Sequence, residues 1–324
     1  MLWFVLALIS AFCLGFYDVL RKYSLKSNAV LPVLLVSTLT SSVILLPLCV
    51  LSQVGVVSPD CWAYIPAITL RQHLMLVIKA AIVLGSWVFV YYGMKHLPLS
   101  IVAPIRATAP VWTLVGALII FAERPNGIQW IGLIVVFCFF FLFSVAGKRE
   151  GINFTANKWI WCVVAGTLIG ACSALFDKHI IQYEHINRMS VLFYYSCYQF
   201  LMTIPLALVM WNPARLKFKA ERKLIPAEQE TDEQIAARVG YEPFRWKWSI
   251  PMIGIIIIAA DFFYYGALNS PDSMISLISP LRRSNAIVSF TLAALVFHEH
   301  NMLRKGLCLL GILAGIGVII FGSL

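Results

Sequence analysis

The sequence predicts an all-α polytopic membrane protein whose ten transmembrane helices form two inverted five-helix repeats. Three observations carry this expectation. The 324-residue chain is 60% hydrophobic and 12% charged, about half the charged share of an average soluble protein. It contains ten apolar stretches of about 20 residues, the length that crosses a ~30 Å hydrocarbon core at a helical rise of ~1.5 Å per residue. One segment also occurs twice: FVYYG (89–93), Pro104-Ile105-Arg106 and Phe121-Ala122-Glu123 return as FFYYG (262–266), Pro280-Leu281-Arg282 and Phe297-His298-Glu299. Arg106 and Arg282 are 176 positions apart, as are Glu123 and Glu299, while the Tyr-Tyr-Gly pairs are 173 apart. Only the turn between them has changed length. A period of half the chain is too long for a solenoid, and in an apolar chain it points to a transporter built from structural repeats.

The first repeat, 1–150, holds predicted spans near Leu2 to Tyr23, Val30 to Leu51, His73 to Gly93, Leu99 to Phe121 and Gly127 to Ala146. The second, 151–324, holds them near Lys158 to Ile181, Met189 to Trp211, Trp246 to Leu268, Met274 to Val296 and Leu303 to Gly322. The opening run has no charged leader and is too long for a signal peptide, so it reads as the first helix. Ser52 to Gln72, with Trp62 and Tyr64, reads as an interfacial loop with aromatic anchors. A polar insert at 212–245 contains PAEQETDEQIAARV, which fits a short soluble helix. A solvated connector on the membrane surface is the plainer account of this insert, a regulatory or partner-binding element the sharper one.

Five spans per half place the halves upside down relative to each other. The odd-numbered loops carry about four times as many Lys and Arg as the even side with both termini, which by the positive-inside rule makes the odd loops cytoplasmic and the termini external. The same topological bias accounts for the net charge of +10 without nucleic acid. Of the eight cysteines, only Cys61 falls outside a predicted span, and none has CxxC spacing or a His at a zinc-like interval. They read as small apolar helix residues, and no cofactor or metal is expected.

Asp18 and Lys22 near the end of the first helix are matched by Asp177 and Lys178 near the end of the sixth, and Glu123 and Glu299 close the fourth and ninth spans. Set in ten spans in two halves, these residues resemble the EamA family of the drug/metabolite transporter superfamily over essentially the whole chain outside the insert. The resemblance implies transport of small metabolites, often export of amino acids or similar compounds, in the bacterial cytoplasmic (inner) membrane. It implies a central cavity lined by the third, fourth, eighth and ninth helices, and termini in the cytoplasm, against the loop charges. Pro110 looks like the family's mid-helix proline, but the ninth span has Ala286 at the equivalent position.

A charge inside a span costs at least a few kcal/mol unless it faces a cavity or a partner. Arg282 and Arg283 lie about 12 Å into the ninth span, and Arg106 is as deep in the fourth. Pro104 and Pro280 each stand two residues before an arginine, which predicts helices broken or kinked where they meet the charge. Secondary transporters commonly hold anionic groups in this way. An ion pair of Arg282 with Asp261, deep in the eighth span, is the structural alternative, compatible with binding where the pair opens to substrate. Asp261 is also the proton-carrier candidate, since a carboxylate in low dielectric exchanges protons near neutral pH unless a close arginine holds it ionised.

Asp18, Lys22 and Lys178 read as snorkelling side chains or a local i, i+4 pair, and Glu123 and Glu299 as structural. Phe89 with Tyr92, and Phe262 with Tyr265, share a helix face in each half; with Trp112 they are candidates for the cavity wall, although interfacial belts are the commoner fate of aromatic residues. The substrate-binding candidates are therefore Arg106, Arg282, Arg283, Asp261, Tyr92, Tyr265, Phe89, Phe262 and Trp112. No nucleophile elbow, phosphate loop or metal signature is present, so an enzyme is not expected. The reading is a secondary transporter, an exporter of a small polar metabolite bearing a carboxylate, working by alternating access, with proton coupling and a homodimer both compatible. A flippase or carrier for a phosphate-bearing lipid and a non-transporting scaffold remain the alternatives.

Overall fold

The computed structural model describes residues 2–97, 102, 105–106, 108–145, 157–225, 230–270, 273–285, 287–289, 292 and 302–322. Pro104, Ala286 and the Phe297-His298-Glu299 segment lie outside them. All regular elements among the described residues are helical: α1 (Leu2–Leu25), α2 (Val30–Gln53), α3 (Leu70–His96), α4 (Ala109–Ile120), α5 (Gly127–Val145), α6 (Lys158–Lys178), α7 (Arg188–Met210), α8 (Asn212–Leu224), α9 (Asp232–Val239), α10 (Ser249–Leu268), α11 (Ile275–Arg283) and α12 (Met302–Phe321). A π turn, His179–Tyr183, extends α6. Six helices are long and apolar enough to cross a membrane: α1, α2, α3, α6 with its π turn, α7 and α10. Shorter apolar helices cover Ala109–Ile120, Gly127–Phe139 and Leu310–Phe321. The chain is a multi-pass membrane protein.

Periodicity sorts each span into a packed face and an outer face. Along α1, Trp3, Ala7, Ala11, Tyr17, Arg21 and Ser24 are buried, while Leu2, Val5, Phe12 and Phe16 are exposed. In a bilayer the exposed apolar side chains meet lipid at no cost, so the helices associate through small residues and polar contacts instead. Gly254 of α10 is one such point: a Cβ there would overlap the Ser37 carbonyl oxygen of α2. Ser41 Oγ donates to the Gly254 carbonyl at 3.0 Å across the same contact. The remaining hydroxyls of α2 donate back to carbonyls one turn earlier, as Thr38 does to Leu34 at 2.8 Å, which lets a Ser/Thr-rich helix sit in an apolar medium.

The principal pairings are α1 with α10, α3 with α6, α2 with α7, α4 with α11 and α5 with α12, and α2 and α7 also pack on α10 and α3 respectively.

Among the described residues, the predicted fourth and ninth spans each show a turn just past their arginines. α11 runs through Pro280 and ends at Arg283, followed by a turn at Ser284. In the fourth span the turn stands at Thr108, and α4 begins at Ala109 with Pro110 in its first turn, where a missing N–H costs little. The hydrogen bonds of the two turns correspond one for one. Thr108 donates its N–H and Oγ1–H to the Ile105 carbonyl at 3.1 and 2.7 Å, and Ser284 does the same to Leu281 at 3.0 and 2.7 Å. Val111 N–H then reaches Thr108 O at 3.0 Å, and Ile287 N–H reaches Ser284 O at 2.9 Å. A hydroxyl competing for the carbonyl three residues back thus accompanies each interruption, two residues after Arg106 and after Arg282.

The polar insert consists of α8, α9 and a fastened tail. Arg238 of α9 pairs with Glu221 of α8 at 2.5 Å and with Glu230 at 3.1 Å, and Arg222 pairs with Asp232 at 2.7 Å. Residues 241–248 then bind the ends of three spans. Asn28 exchanges two hydrogen bonds with the Arg245 backbone at 2.8 and 2.9 Å, and Ala29 N–H donates to Pro243 O at 3.1 Å. Lys247 Nζ reaches the Tyr23 and Lys26 carbonyls at 2.9 and 2.7 Å, and Lys95 pairs with Glu242. At the opposite end, the loop between α2 and α3 lays Trp62 edge-on against Phe262, with ring centroids 5.5 Å apart.

Candidate functional site

Between α1, α3, α6, α7, α10 and α11 lies a cavity of about 170 Å³ that Arg106 of the fourth span also reaches. Among the described residues, eight ionisable charges line it: Asp18 and Arg21 from α1, Lys79 from α3, Arg106, Asp177 from α6, Asp261 from α10, and Arg282 and Arg283 from α11. Each lies on an otherwise apolar helix, so the elements that place them are held by hydrophobic faces and tight helix crossings while the charges turn inward. Ser86 of α3, for example, donates to the Gly166 carbonyl of α6 at 2.7 Å. At Gly166 itself an added Cβ would lie 2.8 Å from Val90, which brings Lys79 and Asp177 within reach of each other.

The charges are organised as ion pairs. Asp18 Oδ1 accepts from Arg21 Nη2 at 2.6 Å, and its Oδ2 accepts from Asn285 Nδ2 at 2.7 Å. Arg106 Nη1 lies 3.7 Å from that same Oδ1. Lys79 binds Asp177, both nearly fully buried, and Arg282 binds Asp261. Aromatic faces cover the cations: the Arg282 guanidinium lies 3.9 Å from the Tyr264 ring centroid, Lys79 Nζ 4.6 Å from Tyr195 and 5.3 Å from Tyr265, and Arg21 5.1 and 5.0 Å from Tyr17 and Tyr91. In a medium of low dielectric both kinds of contact are stronger than in water, and both are needed to offset desolvation.

Of the sequence candidates, the cavity brings together Arg106, Arg282, Arg283, Asp261 and Tyr265. Four others stand outside its lining. Tyr92 stacks on Trp159 with centroids 6.5 Å apart, and Phe262 lies under the Arg188 guanidinium at 4.5 Å. Phe89 and Trp112 are exposed on the outer surface.

Four charged residues of the wall were not among those candidates. Lys79 lies well inside the third apolar run, so the rule that exposed Arg282 applies to it equally. Arg21, near the end of the predicted first span, is buried at 2% exposure in α1, which continues to Leu25. Asp18 and Asp177 fall near sequence-drawn helix ends, yet the cavity extends to them.

Residues 1–145 match the model of the EamA-like transporter family, a family of the drug/metabolite transporter superfamily. No curated protein matches the chain. A solved structure described only as "Crystal structure of protein" superposes with a TM-score of 0.66 at 14% identity, covering 98% of this chain and 96% of that one. At that identity the likeness is one of fold.

Proposed function

We propose that this protein is a secondary transporter that exports a small anionic metabolite bearing a carboxylate or similar group, by alternating access between two inverted five-helix repeats. The observation that carries the reading is that Arg106 and Arg282, at matching places in the sequence repeat and each just ahead of a matching helix interruption, reach one cavity. The pairing of the helices supports the repeat. Numbering the spans one to ten, the contacts of the first with the eighth, the second with the eighth and the fourth with the sixth become, on exchanging the halves, those of the sixth with the third, the seventh with the third and the ninth with the first. All six occur. A site shared by two such halves is where rocking of one against the other exposes substrate to alternate sides.

In this mechanism the planar forks of Arg106 and Arg282 hold the anionic group through paired hydrogen bonds. Asp261 acts as the surrogate anion for Arg282 when substrate leaves. The test is exchange in proteoliposomes loaded with labelled small carboxylates, run with and without a pH gradient. Exchange by the wild type that Arg282→Gln abolishes supports the reading. Absence of exchange across a broad panel of small anions, by protein shown to be folded, overturns it.

A further inference from the structure

Among the described residues, the wall of the cavity carries five cations and three carboxylates. Each carboxylate has a cation of its own: Arg21 for Asp18, Lys79 for Asp177 and Arg282 for Asp261. Two cations are left over. Arg106 approaches only the Asp18 oxygen that already accepts from Arg21, at 3.7 Å. Arg283 has no carboxylate within ion-pair distance among the described residues. Unbalanced charge within an apolar helix bundle is costly, and a ligand that cancels it is bound more strongly for that reason.

The unpartnered atoms of the same wall agree in kind. Arg21 Nε and Arg282 Nε are buried without a hydrogen-bond partner among the described residues, and each offers an N–H. A group rich in acceptors and carrying two negative charges complements such a wall. The cavity volume of about 170 Å³ is close to that of a pocket that holds benzene, ~150 Å³, so the ligand has only a few carbon atoms.

We propose that the site selects a small dianion, such as a phosphomonoester or a dicarboxylate, with Arg106 and Arg283 supplying the two charges that the carboxylates of the wall leave unbalanced. This rests on the transporter reading above and sharpens it. A zwitterionic amino acid is a poor match, because it balances neither surplus charge in net terms and brings an ammonium among guanidiniums whose carboxylates are already engaged.

The test measures binding to the purified full-length protein, so it reports on the charge rule whether or not the ligand is carried across. Calorimetry compares two matched pairs at about pH 7.5, above the second ionisation of a phosphomonoester near pH 6: glycerol phosphate against its methyl diester, and succinate against succinamate. The expected result is that in at least one pair the dianion binds about tenfold or more tightly than its monoanionic partner, and the pair that shows it identifies the phosphate or the carboxylate source. Arg283→Gln should bring that ratio close to one, and Arg283→Lys should retain most of it. Because no carboxylate among the described residues pairs with Arg283, its removal uncovers no charge there, and a melting temperature at or above the wild-type value confirms that the variant is folded. A ratio near one in both wild-type pairs, no binding by either dianion, or a ratio unchanged in Arg283→Gln overturns the proposal. Failure of exchange in proteoliposomes with this binding intact would instead count against the transporter reading.

Discussion

Glu123, at the end of the fourth span, caps the helix that carries Arg282. Its two carboxylate oxygens accept the backbone N–H groups of Ile275 and Ser276 at 2.8 and 2.9 Å, across more than 150 residues of sequence. Lys178 Nζ completes the set, 2.5 Å from Oε1. The first N–H groups of a helix have no partner within it, and a carboxylate supplies both the acceptors and the charge that the helix dipole favours. All three partners are buried, so the cap fixes the start of α11 and thereby the depth at which Arg282 enters the cavity.

Glu123→Ala should therefore be severe, because it leaves two buried N–H groups and a buried ammonium unsatisfied, at a cost of about 3–5 kcal/mol. Glu123→Gln combined with Lys178→Met should recover more than half of the loss, since the amide oxygen still caps one N–H and the stranded cation is gone. Thermal unfolding of the detergent-solubilised variants measures both. Equal loss in Glu123→Ala and in the double variant would reduce the cap to an incidental contact.

Arg282 and Asp261 should show strong coupling. Removing either one strands the other's charge in low dielectric, so Arg282→Gln and Asp261→Asn should each destabilise by about 3 kcal/mol or more, and the double variant by less than their sum, with a coupling of about 1–3 kcal/mol. A double-mutant cycle on unfolding gives the coupling directly. Strict additivity would mean that the two charges are stabilised by other neighbours.

At the crossing of α2 and α10, Gly254→Ala places a Cβ against the Ser37 carbonyl and the Thr40 side chain. The helices must separate and the Ser41 to Gly254 hydrogen bond stretches, so a loss of about 1–3 kcal/mol is expected. Gly85, where a methyl group would meet only open space, is the matched control and should tolerate alanine with no loss. Melting temperatures of the two variants decide it.

The loop charges predict that the insert faces the cytoplasm. Cys61, exposed in the loop between α2 and α3, lies on the opposite side and provides a native reference. In intact cells an impermeant thiol reagent should label Cys61, whereas a cysteine introduced at Glu233, exposed on α9, should react only after the membrane is opened. Labelling of the introduced cysteine from outside, with Cys61 protected, reverses the orientation.

The six long apolar helices were legible because hydrophobic length is a property of a single stretch, and the deep charges Arg106, Asp261, Arg282 and Arg283 were legible because burial cost depends on distance from a helix end. Arg21 shows where the first rule fails. It stands two residues from the end of the predicted first span, Leu2 to Tyr23, where a long cation is expected to reach the interface, while α1 continues to Leu25 and carries the side chain into the cavity. The aromatic candidates show a second limit. Tyr92 and Tyr265 occupy the same place in the repeat, yet Tyr265 lines the cavity and Tyr92 stacks on Trp159, a difference set by the depth of each in the assembled bundle rather than by period. The role of Glu123 was hidden for a third reason. Its donors are backbone groups of a helix in the other half of the chain, and backbone N–H groups carry no sequence signal.

On the proposed mechanism, the two surplus cations of the cavity would also make the protein sensitive to voltage. A dianion in the site would cancel them, so the loaded form would cross its cycle without moving net charge, while the empty form would carry the charge of Arg106 and Arg283 through whatever part of the field the conformational change spans. A full crossing is worth about 2.3 kcal/mol per charge per 100 mV. With the interior negative, the potential would act on the return of the empty carrier and draw it toward the cytoplasmic side, where the next anion would bind. Export would then be driven at the step that moves no substrate.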